Sequence, residues 1–477
     1  MILQDLSGGC LFCGKQYAFD THPNSEIAKR HCCTGSLALP RDLLDRDLHL
    51  FPTVFPVPRN SHGVVIPPHP ASRPVVDGLA VAPHDPSLQP SGADATAYLP
   101  FLDTPLSLAG NRCGNALLYD AGRLATRFHL ARGSVKVLDM ATYGWSHTLK
   151  DPRSWAVISQ AARSGVKHLS AWTAGNAGFS LARMAYAHNK FVQNDQKLHV
   201  HCYSIGSAVP DNLKVNLQRY HARVFDFLAP STGSHIFPPD RSFEQIKTAM
   251  DVEIDPNEYW EVTDGWDGVG LYMYRLIGRQ LCAHYKPNYI ICPLGTGDLF
   301  FGLYLGRQDC LNEKLIPAES CKFLVMMPNQ GNILENYERY SMKVRDTYKS
   351  EVAHDFERPM APKLEADYTP LLLTMYQAFL DPAVKLVPVG RKGQDIAARA
   401  MFASHMTDFV ASEPSALLAF SGLTALVGMI AEESSTRPRL GVTETKTDVV
   451  VVNSGCGSMG DEEIRYLAQF FPRADLA

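Results

Sequence analysis

The 477-residue chain lacks any long uninterrupted apolar run. Its longest, Ala416 to Ala431, is broken by Ser421, Gly422, Thr424 and Gly428. It falls short of the ~20 apolar residues that a membrane-spanning helix needs, so it reads as a buried helix. The opening Met1-Ile2-Leu3-Gln4-Asp5 has neither the basic stretch nor the apolar core of a secretory leader. A cytoplasmic protein is the expectation. Excess charge is missing too: 45 Lys and Arg against 49 Asp and Glu leave a net −4. That balance gives no electrostatic reason to expect nucleic acid or an anionic membrane as partner. No repeat of fixed period is present, which argues against a solenoid or propeller. The 11 cysteines are an odd number and are spread too widely for a disulfide framework. Cys202, Cys292, Cys321 and Cys456 fall in or beside apolar runs, where a free thiol acts as a small core residue. Only Cys10, Cys13, Cys32 and Cys33 cluster, and they mark residues 1–40 as a Cys-rich module with a candidate metal site.

Proline is concentrated instead in one place. Pro52, Pro56, Pro58, Pro67, Pro68, Pro70, Pro74, Pro83, Pro86 and Pro90 make 41–100 an extended connecting segment, unable to hold a long helix or a central strand. From about residue 100 short apolar runs alternate with amphipathic ones. Strands are expected at 135–138, 168–172, 199–204, 222–227, 289–292, 322–327 and 449–452. Helices are expected at 151–164, 177–188, 213–221 and 270–284. Val449 to Val452 is an all-valine run, suited to a strand covered on both faces. The length calls for two or three domains, and the alternation predicts an α/β fold with a mostly parallel sheet. Ligands bind such sheets at the carboxyl ends of strands.

Four turns of that kind carry chemistry. In Ser146-His147-Thr148-Leu149-Lys150-Asp151-Pro152 a lysine opens a helix, where the helix dipole disfavours its charge, as a nucleophilic lysine requires. Leu169 to Gly178 ends a strand in a small-residue turn whose backbone N–H groups suit a carboxylate, with Asn176 free to donate. Ile290 to Leu299 is strand, glycine-rich loop and helix, a generic anion cradle. It lacks the Gly-Lys-Ser/Thr of a Walker loop, and Phe300 fills the third glycine position of a dinucleotide fingerprint. Val450 to Gly457 is a buried strand ending in a glycine turn, where Ser454 offers a hydroxyl to a heteroatom of a bound ligand. Singly, each also fits a plain structural role: a surface lysine, an Asn-capped turn, a tight loop, a serine cap.

In order, the four resemble the motifs of fold-type II pyridoxal-phosphate (PLP) enzymes, the tryptophan synthase β-like superfamily, and within it threonine synthase. Thr148-Leu149-Lys150-Asp151 resembles that group's Ser/Thr-Phe-Lys-Asp-Arg motif, and Thr173 to Gly178 its Thr-Ser-Gly-Asn-Ala-Gly turn. Pro293 to Gly297 is similar to its Pro-x-Gly-x-Gly loop, Glu413-Pro414-Ser415-Ala416 to its Glu-Pro-x-Ala helix start, and Ser454-Gly455-Cys456-Gly457 to its Thr-Gly-His-Gly turn. Asp103-Thr104-Pro105-Leu106 and Pro210 to Lys214 also fit, so the resemblance covers about residues 100–470.

The resemblance implies two three-layer α/β/α domains with mostly parallel sheets. The larger, PLP-binding one is formed by 101–150 and 266–477, and the smaller, 151–265, carries the Asn176 turn. It further implies that Lys150 holds PLP as a Schiff base and then acts as general base. Asn176 would contact the cofactor's 3′-oxygen, Gly295, Thr296, Gly297, Asp298 and Leu299 would wrap its phosphate, and Ser454 would approach its ring nitrogen. Thr173, Ala174, Gly175 and Ala177, with Arg153, would bind substrate. The chemistry implied is elimination or replacement at the β or γ carbon of a phosphorylated or acylated amino acid, by a homodimer. The chain departs from the pattern at Ala174, where a serine is usual, at Pro152, which leaves Arg153 one position late, and at Cys456, where histidine is usual. Tyr143, Trp145 and His147 form an aromatic approach to the lysine in place of small residues. These departures keep two alternatives open: cysteate synthase-like β-replacement on phosphoserine, and a PLP-fold regulatory or binding protein without turnover. At the N-terminus Cys10-Leu11-Phe12-Cys13-Gly14 is similar to a zinc-ribbon knuckle. Arg30 interrupts the second knuckle, so a zinc ion would take Cys33 with Cys32 or His31.

Overall fold

A computed structural model describes residues 116–131, 133–140, 146, 148–173, 175–190, 192–205, 211–227, 254–262, 268–329, 378–379, 381–408, 412–436, 447–455, 459 and 461–470, with six short strands nearer the N-terminus. Strand β1 (Ser7–Cys10) pairs antiparallel with β2 (Gln16–Ala18) and β3 (Leu37–Ala38). Next come β4 (Val54–Pro56) and the small hairpin of β5 (Val75–Val76) with β6 (Leu79–Ala80). Then β7 (Ala116–Asp120), α1 (Gly122–Arg127) and β8 (Val135–Asp139) lead to α2 (Lys150–Ser164). Helix α2 stops at Gly165, which takes the left-handed conformation (φ 75°) that closes helices.

A four-stranded parallel sheet follows: β9 (His168–Trp172), α3 (Asn176–Asn189), β10 (His199–Ile205), α4 (Asp211–Arg219), β11 (Arg223–Phe227) and β12 (Tyr259–Glu261), in spatial order β11-β10-β9-β12. The chain then supplies α5 (Gly268–Gln280), β13 (Tyr289–Pro293), α6 (Asp298–Asn312), β14 (Lys322–Pro328), β15 (Val384–Val389), α7 (Arg391–Asp408), α8 (Leu417–Thr436), β16 (Val449–Asn453) and α9 (Asp461–Ala468). The second sheet has seven strands in the order β15-β14-β13-β16-β8-β7-β4, parallel except where β7 runs against β8. The α/β architecture with mostly parallel sheets is thus present. Two refinements stand out: the helix expected at 270–284 ends its α-geometry at Gln280 and closes in a π-turn, Leu281–Tyr285, and the proline-rich segment supplies an edge strand, β4. Pro56 suits an edge, since a proline has no N–H for a further partner.

Burial follows from the sequence pattern. In β16 every residue is buried; Val450 and Val452 join the core beneath α5 and α6, and Val449 and Val451 the core beneath α1, α7 and α8. The large sheet is therefore covered on both faces, as a parallel sheet requires. Beside the four-stranded sheet, Leu169, Ala171, Val200 and Cys202 pack on Val157, Ile158, Leu181 and Ala185 of α2 and α3. Of the buried helix expected at 416–431, residues 416–423 are buried, whereas Thr424, Gly428 and Ala431 are exposed. No helix among the described residues is long and apolar enough to cross a membrane.

Helices α5 and α6 touch backbone to backbone. A Cβ on Gly306 would run into the Arg279 N and Arg275 O of α5, and one on Gly302 into Tyr274. The ion pairs Arg275–Asp309 (2.7 Å) and Arg279–Glu313 (2.6 Å) flank this seam. Gly306→Ala is therefore expected to lower stability by about 1–3 kcal/mol. Gly428→Ala, in α8 with open space around the added methyl, should be neutral or raise it by about 0.5–1 kcal/mol. Urea unfolding of the two variants checks the contrast.

On the other face of the four-stranded sheet three histidines stack. The rings of His199 and His201 lie 5.3 and 5.5 Å from that of His168, and His168 Nδ1 is 3.2 Å from His201 Nε2. Burial first, then the neighbouring His168 and Arg223, pushes His201 down to about 3. Burial and His199 push His168 down to about 4. Both are neutral in the fold where the unfolded chain, near 6.5, takes up protons. Stability is thus full above 6.5 and is lost as pH falls toward the folded values. His201→Phe should flatten the fall in the denaturation midpoint between pH 6.5 and about 4.

Candidate active site

Turns from both sheets meet at one cavity of about 130 Å³. Lys150, the first residue of α2, is half-buried in its wall. Its loop is held from outside: Leu149 N–H donates to the Ser454 carbonyl (2.8 Å), Tyr274 OH donates to the Leu149 carbonyl (2.8 Å), and Thr148 bridges to Gly455. Within the loop the Lys150 N–H donates to Thr148 Oγ1 (3.2 Å).

The β9–α3 turn faces the lysine. Gly175 has φ 144°, a backbone state that only glycine adopts without strain. Thr173 Oγ1 accepts from the N–H groups of Gly175 (2.9 Å) and Gly178 (3.0 Å), satisfying donors at the helix start. Gly178 is there by necessity, because a Cβ would stand 2.7 Å from Thr173 Cγ2 and 3.0 Å from Cys202 Sγ. Asn176 Nδ2 lies 3.2 and 3.3 Å from the two Glu413 carboxylate oxygens. Its Oδ1 is buried and has no hydrogen-bond partner in the structure.

At the end of β13, Pro293, Gly295, Thr296 and Gly297 line the cavity, with Leu299 and Phe300 of α6 behind them. Gly297, at φ 99°, is the N-cap of α6, and the first-turn N–H groups of a helix have no partner within it. Such a start is an anion site. Asp298 is buried next to this loop, its carboxylate 3.5 Å from Thr296 Oγ1, and does not line the cavity.

Ser454 closes the site from the end of β16. Beside it Glu413 is buried, its N–H on the Gly455 carbonyl (2.8 Å) and its carboxylate accepting from Ser415 Oγ (2.7 Å) and from Asn176. Glu413 also explains Gly455, where a Cβ would come 2.8 Å from the carboxyl carbon.

Of the residues singled out in the sequence, Lys150, Thr173, Gly175, Asn176, Ala177, Gly295, Thr296, Gly297, Leu299 and Ser454 share this cavity. Arg153 is buried in α2 and is not among its lining residues. Ala174, Cys456, Tyr143, Trp145, His147, Cys13, Arg30, His31, Cys32 and Cys33 lie outside the described residues, and Cys10 is described only as the last residue of β1. Among the described residues no three His, Cys, Asp or Glu side chains are grouped to hold a metal. Sequence reasoning missed Glu413, Ser415, Thr148 and Leu149 as wall residues. The Glu413-Pro414 helix start was the available signal for the first two.

No protein-family model matches the chain, and no curated protein matches it. Solved structures resemble it at low identity. An O-ureido-L-serine synthase is 12% identical over 70% of this chain and 86% of its own, with a TM-score of 0.47. A pyridoxal 5′-phosphate-dependent aspartate racemase is 11% identical over 74% and 92%, with a TM-score of 0.49. A cysteine synthase from Entamoeba histolytica is 13% identical over 75% and 93%, with a TM-score of 0.47.

Gly455→Ala should displace the Glu413 carboxylate and strip Asn176 and Ser415 of their acceptor. A loss of about 1–3 kcal/mol is expected. Adding Glu413→Ala to Gly455→Ala should cost little more than either change alone, which a double-mutant cycle by urea unfolding measures.

Proposed function

We propose that this chain is a PLP-dependent enzyme acting at the β or γ carbon of an amino acid by elimination or replacement. One observation carries the reading: a helix-start lysine, a glycine anion cradle, the Asn176 amide and the Ser454 hydroxyl, drawn from four distant turns, line a single cavity. The cofactor's functional groups match these residues. The Lys150 amine suits its aldehyde, the helix start at Gly297 suits its phosphate, and Asn176 Oδ1, buried without a partner, leaves one hydrogen bond to a donor unmet.

When bound, PLP withdraws the electrons left at the substrate Cα. Lys150 holds the cofactor through its ε-amino group, and the same amine takes the Cα proton at Nζ. The backbone N–H groups from Gly295 to Leu299 bind phosphate, with the α6 dipole favouring the negative charge. The Thr173–Ala177 turn receives the substrate carboxylate at the start of α3 by the same physics. Ser454 offers the ring nitrogen a neutral hydroxyl in place of a carboxylate. That choice leaves charge closer to Cα, which favours expulsion of a leaving group. Within this class the motif order favours threonine synthase-like chemistry on a phosphorylated or acylated substrate, by a cytoplasmic homodimer without a nucleic-acid or membrane partner.

Purified protein should take up PLP with a visible absorbance band that borohydride bleaches. Lys150→Ala should abolish the band and lower turnover roughly a thousand-fold. Phosphohomoserine, phosphoserine and O-acetylserine, tested in turn for a spectral shift and product, identify the leaving group. Absence of PLP uptake by the wild type sinks the reading. Uptake without turnover on a broad panel favours a regulatory role instead.

A further inference from the structure

The loop that presents Lys150 is fastened by a carboxylate that never reaches the cavity. Asp151 is fully buried. Its Oδ2 accepts from Ser146 N–H (2.8 Å), and its Oδ1 from Ser146 Oγ (2.6 Å) and Ser180 Oγ (2.7 Å). The Ser146 hydroxyl has one proton, so its remaining contact has a fixed sense. Ser146 Oγ, donating to Asp151, accepts from Thr148 Oγ1 at 2.9 Å, and that oxygen in turn accepts the Lys150 N–H. Ser180 Oγ also points at Ser154 Oγ as donor, at 2.8 Å, so its one proton is shared between Asp151 and Ser154. One hydroxyl chain therefore runs from the backbone of Lys150 into the carboxylate, and the Ser180 hydroxyl reaches the same oxygen from α3.

Geometry gives this arrangement a purpose. Ser180 stands four residues after Asn176 on α3, on the same helix face. The Asp151–Ser180 bond thus sets the spacing between the lysine loop and the turn that faces it. The convergence of donors needs an acceptor-only group, that is, an ionised carboxylate. Burial holds the Asp151 pKa above the usual carboxylate value, and the bonds from Ser146 and Ser180 and the nearby Arg183 charge offset only part of that rise. A hydrophobic residue would serve packing equally well at lower cost.

We propose that Asp151 is a positioning residue acting as an anion: its charge orients the Ser146–Thr148 hydroxyl chain and the Ser180 hydroxyl, which together aim Lys150 at the β9–α3 turn. The inference rests on the reading of Lys150 as the cofactor anchor. Asp151→Asn keeps the shape but replaces one acceptor with a donor, so either the Ser146 N–H loses its acceptor or the hydroxyls that meet Oδ1 must turn away.

The test uses the full chain with PLP as the probe. Binding is read by fluorescence quenching. Bond formation between Lys150 Nζ and the cofactor aldehyde carbon, with loss of water, is read by borohydride trapping and peptide mass. Asp151→Asn should bind PLP within about threefold of wild type yet form the lysine bond about tenfold more slowly, the signature of a misaimed nucleophile. Ser180→Ala, a milder change, should slow it less, and the double variant should be no slower than Asp151→Asn alone. An unchanged trapping rate in Asp151→Asn overturns the inference. If that variant does not fold, an unchanged rate in Ser180→Ala overturns it. Wild-type protein that binds PLP but traps none at Lys150 overturns the cofactor reading and the inference with it.

Discussion

The lysine loop depends on the backbone of a strand three hundred residues away in sequence. Leu149 N–H rests on the Ser454 carbonyl, and Thr148 bridges to Gly455, so the loop extends the end of β16. That contact exists only because β16 runs between β13 and β8, with valines filling the cores on both faces of the sheet. The burial of β16 fixes the height at which the chain leaves the sheet, and the site inherits that height. Buried side chains pack at crystal-like density, so a shift of the strand would be felt throughout the cores it joins.

The polar groups around the cavity divide into two sets. Lys150, Asn176, the Gly295–Gly297 loop and Ser454 face inward. Asp151, Ser146, Ser180 and Ser154 form a buried network behind the lysine, and Ser415 lies alongside Glu413. Glu413 belongs to both sets, since its carboxylate lines the cavity and also holds Asn176 across the gap between elements of the two sheets. Preorganised groups of this sort lower the reorganisation that a reaction would otherwise demand.

Much of the fold was legible because its signals are local. Strand β9 coincides with the apolar run at 168–172, and β16 exceeds the valine run by one residue. Helices α2 and α3 begin one residue earlier than periodicity indicates. The π-turn after Gln280 was not legible, since nothing in Leu281 to Tyr285 breaks a helical pattern. Nor was the antiparallel placement of β7 beside β8, which depends on which strand edges remain free. In the site, Lys150 and the glycine loop were visible as turns. The roles of Glu413 and Asp151 were not, because their partners Asn176 and Ser180 are 237 and 29 residues away. Motif order associates Arg153 with substrate, and the first turn of α2 around it, Asp151 to Trp155, is buried throughout.

The two outer strands of the large sheet share an unassuming feature: β4 ends in Pro56, and β15 contains Pro388. A row of open N–H and C=O groups at a sheet edge is a template for another chain, and a proline there removes one donor from the row. Val54 to Pro56 also covers the backbone of β7. Strand β4 therefore closes one edge of the large sheet. A chain lacking β4 would leave β7 as a bare edge, open to self-association through backbone pairing.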